Sequence, residues 1–476
     1  MSLVIGLITA SLPSYFPFKH GVFDACGSWL DALAAEEGAS VVTADITPMN
    51  STEAREAVGQ VRAKGADFIL LLHGGFTMGD VVREIAREPK PLGVWATPEP
   101  SHIDDIQLNN FVSLNMSMSI VRGVRDLQKE PVQWYLGGPG DDDLAKRMRQ
   151  TIRALSARKA LEGARIGVVG GLAMTFYNME VSSDVMMRQL GVWTEHVDIH
   201  RMTDLMAAQS DEDVTNELRA MTNAAEARGV SDEQMALTAR AVLALRTIAS
   251  EGNYDALAVS DWPALQENPG MHPGAAFSWL EENDGVPVAS EGDVLGAVTQ
   301  LVAKSLTGRV GCLLDMTSPD FARDQILMWH GGGGPLYMAK DRVAWINHPM
   351  IGRGTDAGPI YGAIADYEFA HGPVTILRVS HHGTARFAVE GVVAEGSAPG
   401  FTGCRGWVGE FSSVDGPCSA KDIVTTVMEH GLEHHFILVP GRFRETFEEF
   451  CQWCGMEALG VIPSHSGLPK NVGGPA

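Results

Sequence analysis

Residues Pro287–Gly308 read PVASEGDVLGAVTQLVAKSLTG, followed by RVGCLLDMTSP from Arg309 to Pro319 and FARDQILMWHGGGG from Phe321 to Gly334. The short apolar run VPVA gives way to Glu291. From Val294 a helical run continues as far as Gly308, a residue that stops helices. A second strand-like run, VGCLLD, ends on Asp315, and a third, ILMW, ends on His330. Strand, helix and strand in that order predict a βαβ unit. Its crossover makes the two strands parallel and brings their carboxyl ends to one edge of a sheet. Open α/β sheets bind ligands at that edge, so Glu291 and Asp315 are expected to face one crevice, with His330 nearby.

Outward from this stretch, the first 150 residues alternate apolar runs with helical patterns. VIGLITA, SVVTADI, DFILLLHG, PLGVWATP and FVSLNM read as strands, separated by segments such as FDACGSWLDALAAEEG. A charged helix, DDDLAKRMRQTIRALSARKALEG, leads into a new strand, RIGVVGG, and a second alternation follows through EHVDIH, Ala-rich helices over residues 211–250 and DALAVSDW. After Gly334 the runs become short, β-like and broken by Gly and Pro: GPVTILRVS, RFAVEGVVAEG and GWVGEF. The expected fold class is α/β: two doubly wound α/β domains, residues 1–160 and 161–340, and a C-terminal antiparallel β-barrel-like domain, residues 341–476. The second domain would carry the candidate ligands.

Composition narrows the function. The chain has 476 residues, 45% hydrophobic and 20% charged, with 36 basic against 59 acidic side chains and a net charge of −23. That balance disfavours nucleic acid and anionic membrane surfaces as partners. No apolar run reaches membrane-spanning length, and the opening MSLVIGLITA lacks a basic n-region and reads as a buried strand. Six dispersed cysteines, with CQWC (Cys451, Cys454) inside an amphipathic helix, read as packing residues, so a reduced cytoplasmic location is expected.

Taken singly, each candidate has an ordinary explanation. Glu291 could serve a helix dipole, a part that suits Asp293 better; Asp315 could cap a loop; His330 could be a packed histidine beside a flexible glycine run. The glycines make no phosphate loop, because no Lys-Ser/Thr follows them. His434 and His435 open a strand, where alternation lets one imidazole reach a given site, and His381-His382-Gly383 is a competing tandem. Taken together, two carboxylates and one or two imidazoles suit Mn²⁺, Mg²⁺ or Co²⁺ better than a structural zinc. Such an ion acts on neighbouring sugar oxygens while a carboxylate moves a proton between carbons. The residues therefore read as metal-assisted carbonyl–enediol chemistry on a polyol.

The runs SEGDVLGAVTQLVAKSLTG, LLDM, ILMWHGGGGP and GLEHHFILVPG resemble the L-fucose/L-arabinose isomerase superfamily over residues 286–335 and 431–440. The resemblance implies that Glu291 and Asp315 bind metal and transfer the proton. It also implies that His330 and one of His434 or His435 complete the ligand set, with Mn²⁺ as cofactor. It further implies two Rossmann-like domains and a barrel-like one, an open-chain sugar as substrate, and a homo-oligomer, trimer or hexamer. A neighbour's amino-terminal domain would line the pocket, with Tyr15, Phe16, Lys19, His20, His73 and Asn115 as contributors. The expected activity is aldose–ketose isomerisation through a cis-enediol. The alternatives are an isomerase of a sulfonated, branched or acid sugar, and a non-catalytic sugar-binding protein. An NAD-dependent enzyme ranks low, since VVGGLA lacks the full glycine fingerprint.

Overall fold

The computed structural model describes residues 2–126, 131–351, 361–396 and 399–464. The chain forms two units, Met1–Lys159 with Glu449–Gly455, and Ala160–Glu448 with Met456–Ala476.

In the first unit, β1 (Val4–Ala10), β2 (Ser40–Thr43), β3 (Phe68–His73), β4 (Leu92–Ala96) and β5 (Val132–Leu136) form one parallel sheet in the order β2-β1-β3-β4-β5. β3 is buried at every position, as in a parallel sheet covered on both faces. Four of the five expected strands are these. The fifth, FVSLNM, lies instead in the helix Asn110–Val124, whose buried residues are Asn110, Ser113, Leu114, Ser117 and Val121. The three- and four-residue spacing is there, but serines carry much of it, so an apolar pattern alone misreads the segment.

In the second unit, β6 (Arg165–Val169), β7 (Trp193–Val197), β9 (Ala256–Val259) and β10 (Val288–Ala289) form a parallel sheet in the order β10-β9-β6-β7, while β8 (Glu226–Arg228) pairs elsewhere. The remaining strands are β11 (Cys312–Asp320), β12 (Gln325–His330), β13 (Ala344–Ile346), β14 (Ile364–Glu368), β15 (Gly372–Ser380), β16 (Ala385–Val393), β17 (Cys404–Ser413), β18 (Gly416–Pro417), β19 (His435–Pro440) and β20 (Glu457–Ala458). They make one mixed sheet, with β8 at one end. Within it, antiparallel ladders run from β16 through β15, β19, β11, β12 and β17 and return to β16. Strands that precede residue 340, β11 and β12, thus share a sheet with strands that follow it.

The expected βαβ unit is not formed. β10 pairs in parallel with β9, but β11 pairs antiparallel with β12 and β19 in the other sheet. The helix between them, Val294–Thr307, is capped by Asp293 and ends at Gly308 (φ 79°). It packs against β9 and β10 and also against β15 and β19. Sandwiched between two sheets, it is buried almost throughout, and the strand after it joins the second sheet. Nor is Asp315 a strand end, since β11 runs on to Asp320 with an irregularity between Met316 and Ser318. One apolar core, including Val259, Leu314, Met328 and Phe436, spans both sheets of this unit. Among the described residues no helix is long and apolar enough to cross a membrane.

Candidate metal centre

Glu291 stands just beyond β10 in a left-handed backbone conformation, φ 62° and ψ 14°. For a residue with a Cβ this costs about 1–2 kcal/mol, so the surroundings must hold it. They do so from both sides. The Glu291 N–H donates to Asp261 Oδ1 at 2.6 Å, and its carbonyl accepts from the Ala173 N–H at 2.9 Å. Gly292 is left-handed too (φ 72°), and a Cβ there would lie 2.1 Å from the Gly171 carbonyl oxygen. Only glycine fits.

Asp315 comes from the other sheet. In the β11–β19 ladder it lies opposite His435, and cross-strand partners share a face. Its Oδ1 is 3.9 Å from His435 Nε2, which is 3.4 Å from Glu291 Oε2. His330, the last residue of β12, places its ring 5.5 Å from that of His435. The carboxylates expected to meet at one sheet edge therefore do converge, but across two sheets. The donor atoms of Glu291, His330 and His435 lie within 4.8 Å of one another, as do those of Asp315, His434 and His435.

The two adjacent histidines differ in their outward bonds. His435, fully buried, donates from Nδ1 to Asp293 Oδ2 at 3.0 Å, so Nε2 is the nitrogen left to face the cluster. The Asn178 amide nitrogen lies 3.0 Å from His434 Nδ1, so Nδ1 accepts and Nε2 carries the proton, 3.2 Å from Glu291 Oε2. Both imidazoles reach the cluster because His434 precedes β19 and escapes strand alternation. Its ring is also 5.1 Å from that of Phe176, which in turn lies 5.4 Å from Trp262.

Behind His435, Asp293 does more than cap a helix. Besides accepting from Gly296 N at 2.8 Å, it accepts two bonds from the fully buried Arg378, at 2.6 and 3.2 Å. Glu433 Oε2 approaches Arg378 Nε at 3.5 Å from the other side. Burial alone would raise Asp293, but Arg378 and His435 outweigh it and hold the carboxyl far below its usual range. For His435, burial works downward and is outweighed by the bond to Asp293 and the charges of Asp315, Asp293 and Glu291, so its pKa is raised. Burial pushes Asp315 up, opposed by His435 and His434. Burial also drives His330 well below the usual histidine range, helped by His435, His272, His348 and His434, so its ring is neutral.

These residues fit a divalent cation. Asp315 Oδ1, His330 Nδ1 and His435 Nε2 are buried without a hydrogen-bond partner. Polar atoms in that state are costly unless something satisfies them, and a shared cation is what two carboxylates and two imidazoles can hold together.

The competing histidine tandem is engaged otherwise. His381 Nε2 meets the His430 carbonyl at 3.1 Å and His382 is exposed; among the described residues neither joins a metal-binding group. The glycines after His330 are packed, for a Cβ on Gly332 would meet Ile364 at 2.2 Å and one on Gly334 would meet Cys312 Sγ at 2.5 Å. In the first unit, Lys19 and His20 both face Gln107 at 3.3 Å, and Tyr15 faces Asn109. Phe16 and Asn115 are exposed there. His73 is enclosed by the hydroxyls of Thr77, Ser113 and Ser117, and burial lowers it to about 3. Sequence reasoning missed Asp261, Arg378, Phe176, Trp262 and Asn178. Of these, only Asp261 left a usable signal, as an acid at the end of the strand-like run DALAVSD.

No protein-family model matches the chain. Curated proteins named sulfoquinovose isomerase are similar to it along most of its length. Those of Priestia aryabhattai and Priestia megaterium are each 24% identical over 402 residues, covering 83% of this chain and 86% of theirs. That of a Clostridium species, strain MSTE9, is 21% identical over 374 residues, covering 77% of this chain and 80% of its own.

Proposed function

We propose that this protein is a metal-dependent aldose–ketose isomerase of an open-chain sugar. It would be allied to the L-fucose/L-arabinose isomerase superfamily. The observation that carries the reading is the set of buried, unpartnered donor atoms, Asp315 Oδ1, His330 Nδ1 and His435 Nε2, which fall in two donor groups, Glu291–His330–His435 and Asp315–His434–His435, joined at His435. A binding protein has no need of two carboxylates at such a point, whereas isomerisation needs a base and an acid on neighbouring carbons.

In this reading Glu291, Asp315, His330 and His435 hold Mn²⁺, with Mg²⁺ or Co²⁺ as substitutes. Once bound, the ion polarises the sugar carbonyl and acidifies the adjacent hydroxyl. One of the two carboxylates takes the proton from C2 as the C2–H bond breaks. The electron pair forms the cis-enediol, and a proton returned to C1 makes the new C–H bond. The hydroxyl proton passes from O2 to O1, so the carbonyl moves from C1 to C2 without any external oxidant or reductant. His434, donating to Glu291 from Nε2, orients that carboxylate, and Phe176 and Trp262 offer an aromatic face to the carbon chain.

The relatives' names favour sulfoquinovose, a sulfonated hexose, as the substrate. Metal analysis of the purified protein, together with a panel of aldoses that includes sulfoquinovose, tests both parts. Bound Mn²⁺ and ketose formation are expected, fastest with the sulfonated sugar and abolished by chelation. Turnover insensitive to chelators would sink the metal reading. Equal or faster turnover of an unsulfonated pentose or deoxyhexose would sink the substrate reading alone.

A further inference from the structure

Asp261 lies at the carboxyl end of β9, beside β10, in the register Val288↔Leu257 and Ala289↔Ala258. It is 2% exposed. Both of its oxygens serve the turn that carries Glu291. Oδ1 accepts the Glu291 N–H at 2.6 Å, and Oδ2 accepts the Ser290 hydroxyl at 2.7 Å. His272 adds to this: its Nδ1 accepts from Gly274 N, so its Nε2 carries the proton and faces Asp261 Oδ2 at 3.5 Å. With three donors around it, Asp261 is engaged as an acceptor, and among the described residues it joins no metal-binding group.

We infer that Asp261 is a positioning residue, which locks Glu291 in its left-handed conformation and so aims the Glu291 carboxylate at the ligand cluster. The conformation is unfavourable for a residue with a Cβ and relaxes when its tether is removed. Relaxation at φ 62° would swing the side chain off the direction shared with His330, His435 and Asp315. A buried carboxylate 2.6 Å from a single backbone N–H is suited to prevent this, because a charge-assisted bond to an amide is among the stronger tethers available.

The inference rests on the metal centre proposed above, and its test is a Mn²⁺ titration of the full-length protein, with free ion followed by electron paramagnetic resonance. Asp261→Ala is expected to weaken Mn²⁺ binding by roughly 10-fold or more, the scale of an outer positioning partner. Asp261→Asn, whose amide can still accept from Glu291 N and donate to Ser290, should stay within about 3-fold of wild type. In a Glu291→Gln background, Asp261→Ala should cost less than about 3-fold, because the carboxylate it aims is already gone. Equal losses in both backgrounds, unchanged binding in Asp261→Ala, or a fall in Asp261→Asn as deep as that of Glu291→Gln would overturn the assignment. If Asp261→Ala does not fold, the Asp261→Asn result decides by itself. Wild-type protein that takes up no Mn²⁺ overturns the metal centre itself, which separates the two failures.

Discussion

His435 donates its Nδ1 proton to Asp293 Oδ2 at 3.0 Å, and thereby turns Nε2 toward Glu291 at 3.4 Å and Asp315 at 3.9 Å. The orientation depends on a further partner, because Asp293 is itself clamped by the buried Arg378. Asp293→Asn removes the charge that Arg378 needs and weakens the bond that fixes the His435 tautomer. Breaking one side of a buried ion pair costs about 3–5 kcal/mol, and Glu433 remains near Arg378, so a loss near 3 kcal/mol is expected in urea denaturation. Mn²⁺ affinity should fall about 10–100-fold. Unchanged affinity would detach Asp293 from the site.

Two left-handed glycines flank the same helix and make a controlled comparison. A Cβ on Gly308, the C-cap (φ 79°), would meet no atom within 4 Å, whereas a Cβ on Gly292 (φ 72°) would strike the Gly171 carbonyl oxygen at 2.1 Å. Gly308→Ala should cost about 1–2 kcal/mol of stability, the backbone penalty alone, and leave Mn²⁺ binding untouched. Gly292→Ala adds a clash with backbone that cannot step aside, so a loss above about 3 kcal/mol is expected. Metal affinity should fall with it, because Glu291 is the preceding residue. Equal effects of the two variants on metal binding would count against a rigid Glu291 turn.

Part of this site was legible in the sequence and part was not, for identifiable reasons. The helix Val294–Thr307 announced itself through Asp293 at one end and Gly308 at the other. The topology around it did not, because strand, helix and strand in order look the same whether the second strand stays in the sheet or leaves for another. A signal against the crossover was present: DFARDQ between two apolar runs is a hairpin connection, in which Asp320 Oδ1 accepts from Ala322 N and Arg323 N. The rule that carboxyl ends of parallel strands share an edge holds here, but its pair is Asp261 and Glu291, not Glu291 and Asp315. Arg378 was hidden for another reason. In GPVTILRVS it reads as an outward-facing residue of an alternating strand, and its partner Asp293 is remote in sequence.

Glu281 gives a pH signature independent of the metal centre. It is 4% exposed. Its Oε1 accepts from Gln300 Nε2 at 2.6 Å and Val288 N at 3.3 Å, while Oε2 is buried without a partner. Burial raises its pKa from 4.5 to about 8, against the opposing bonds from Gln300 and Val288. Below pH 4.5 the acid is protonated in both folded and unfolded chains. Between 4.5 and about 8 only the unfolded chain gives up its proton, so stability falls as pH rises, by up to about 1.4 kcal/mol per unit. Glu281→Gln should remove this component: it should match wild type near pH 4.5 and be the more stable protein at about pH 8. Parallel stability–pH curves for the two proteins, from urea denaturation, would mean that Glu281 ionises normally.

The decisive chemical prediction concerns the two carboxylates that the fold brings to His435 from separate sheets. If Glu291 and Asp315 carry the proton between C1 and C2, Glu291→Gln and Asp315→Asn should each slow isomerisation by about 10²–10⁴-fold, the usual worth of a positioned acid or base. A slower reaction could also come from poorer metal loading, so both variants need a second readout at saturating Mn²⁺. Solvent deuterium should enter the substrate at C2 with the wild-type protein, and should fail to enter with whichever variant lacks the base. The other variant can still exchange at C2 while failing to form ketose, which would assign the first carboxylate as base and the second as acid. Wild-type exchange and turnover in both variants would remove the two residues from the chemistry and leave them as ligands only.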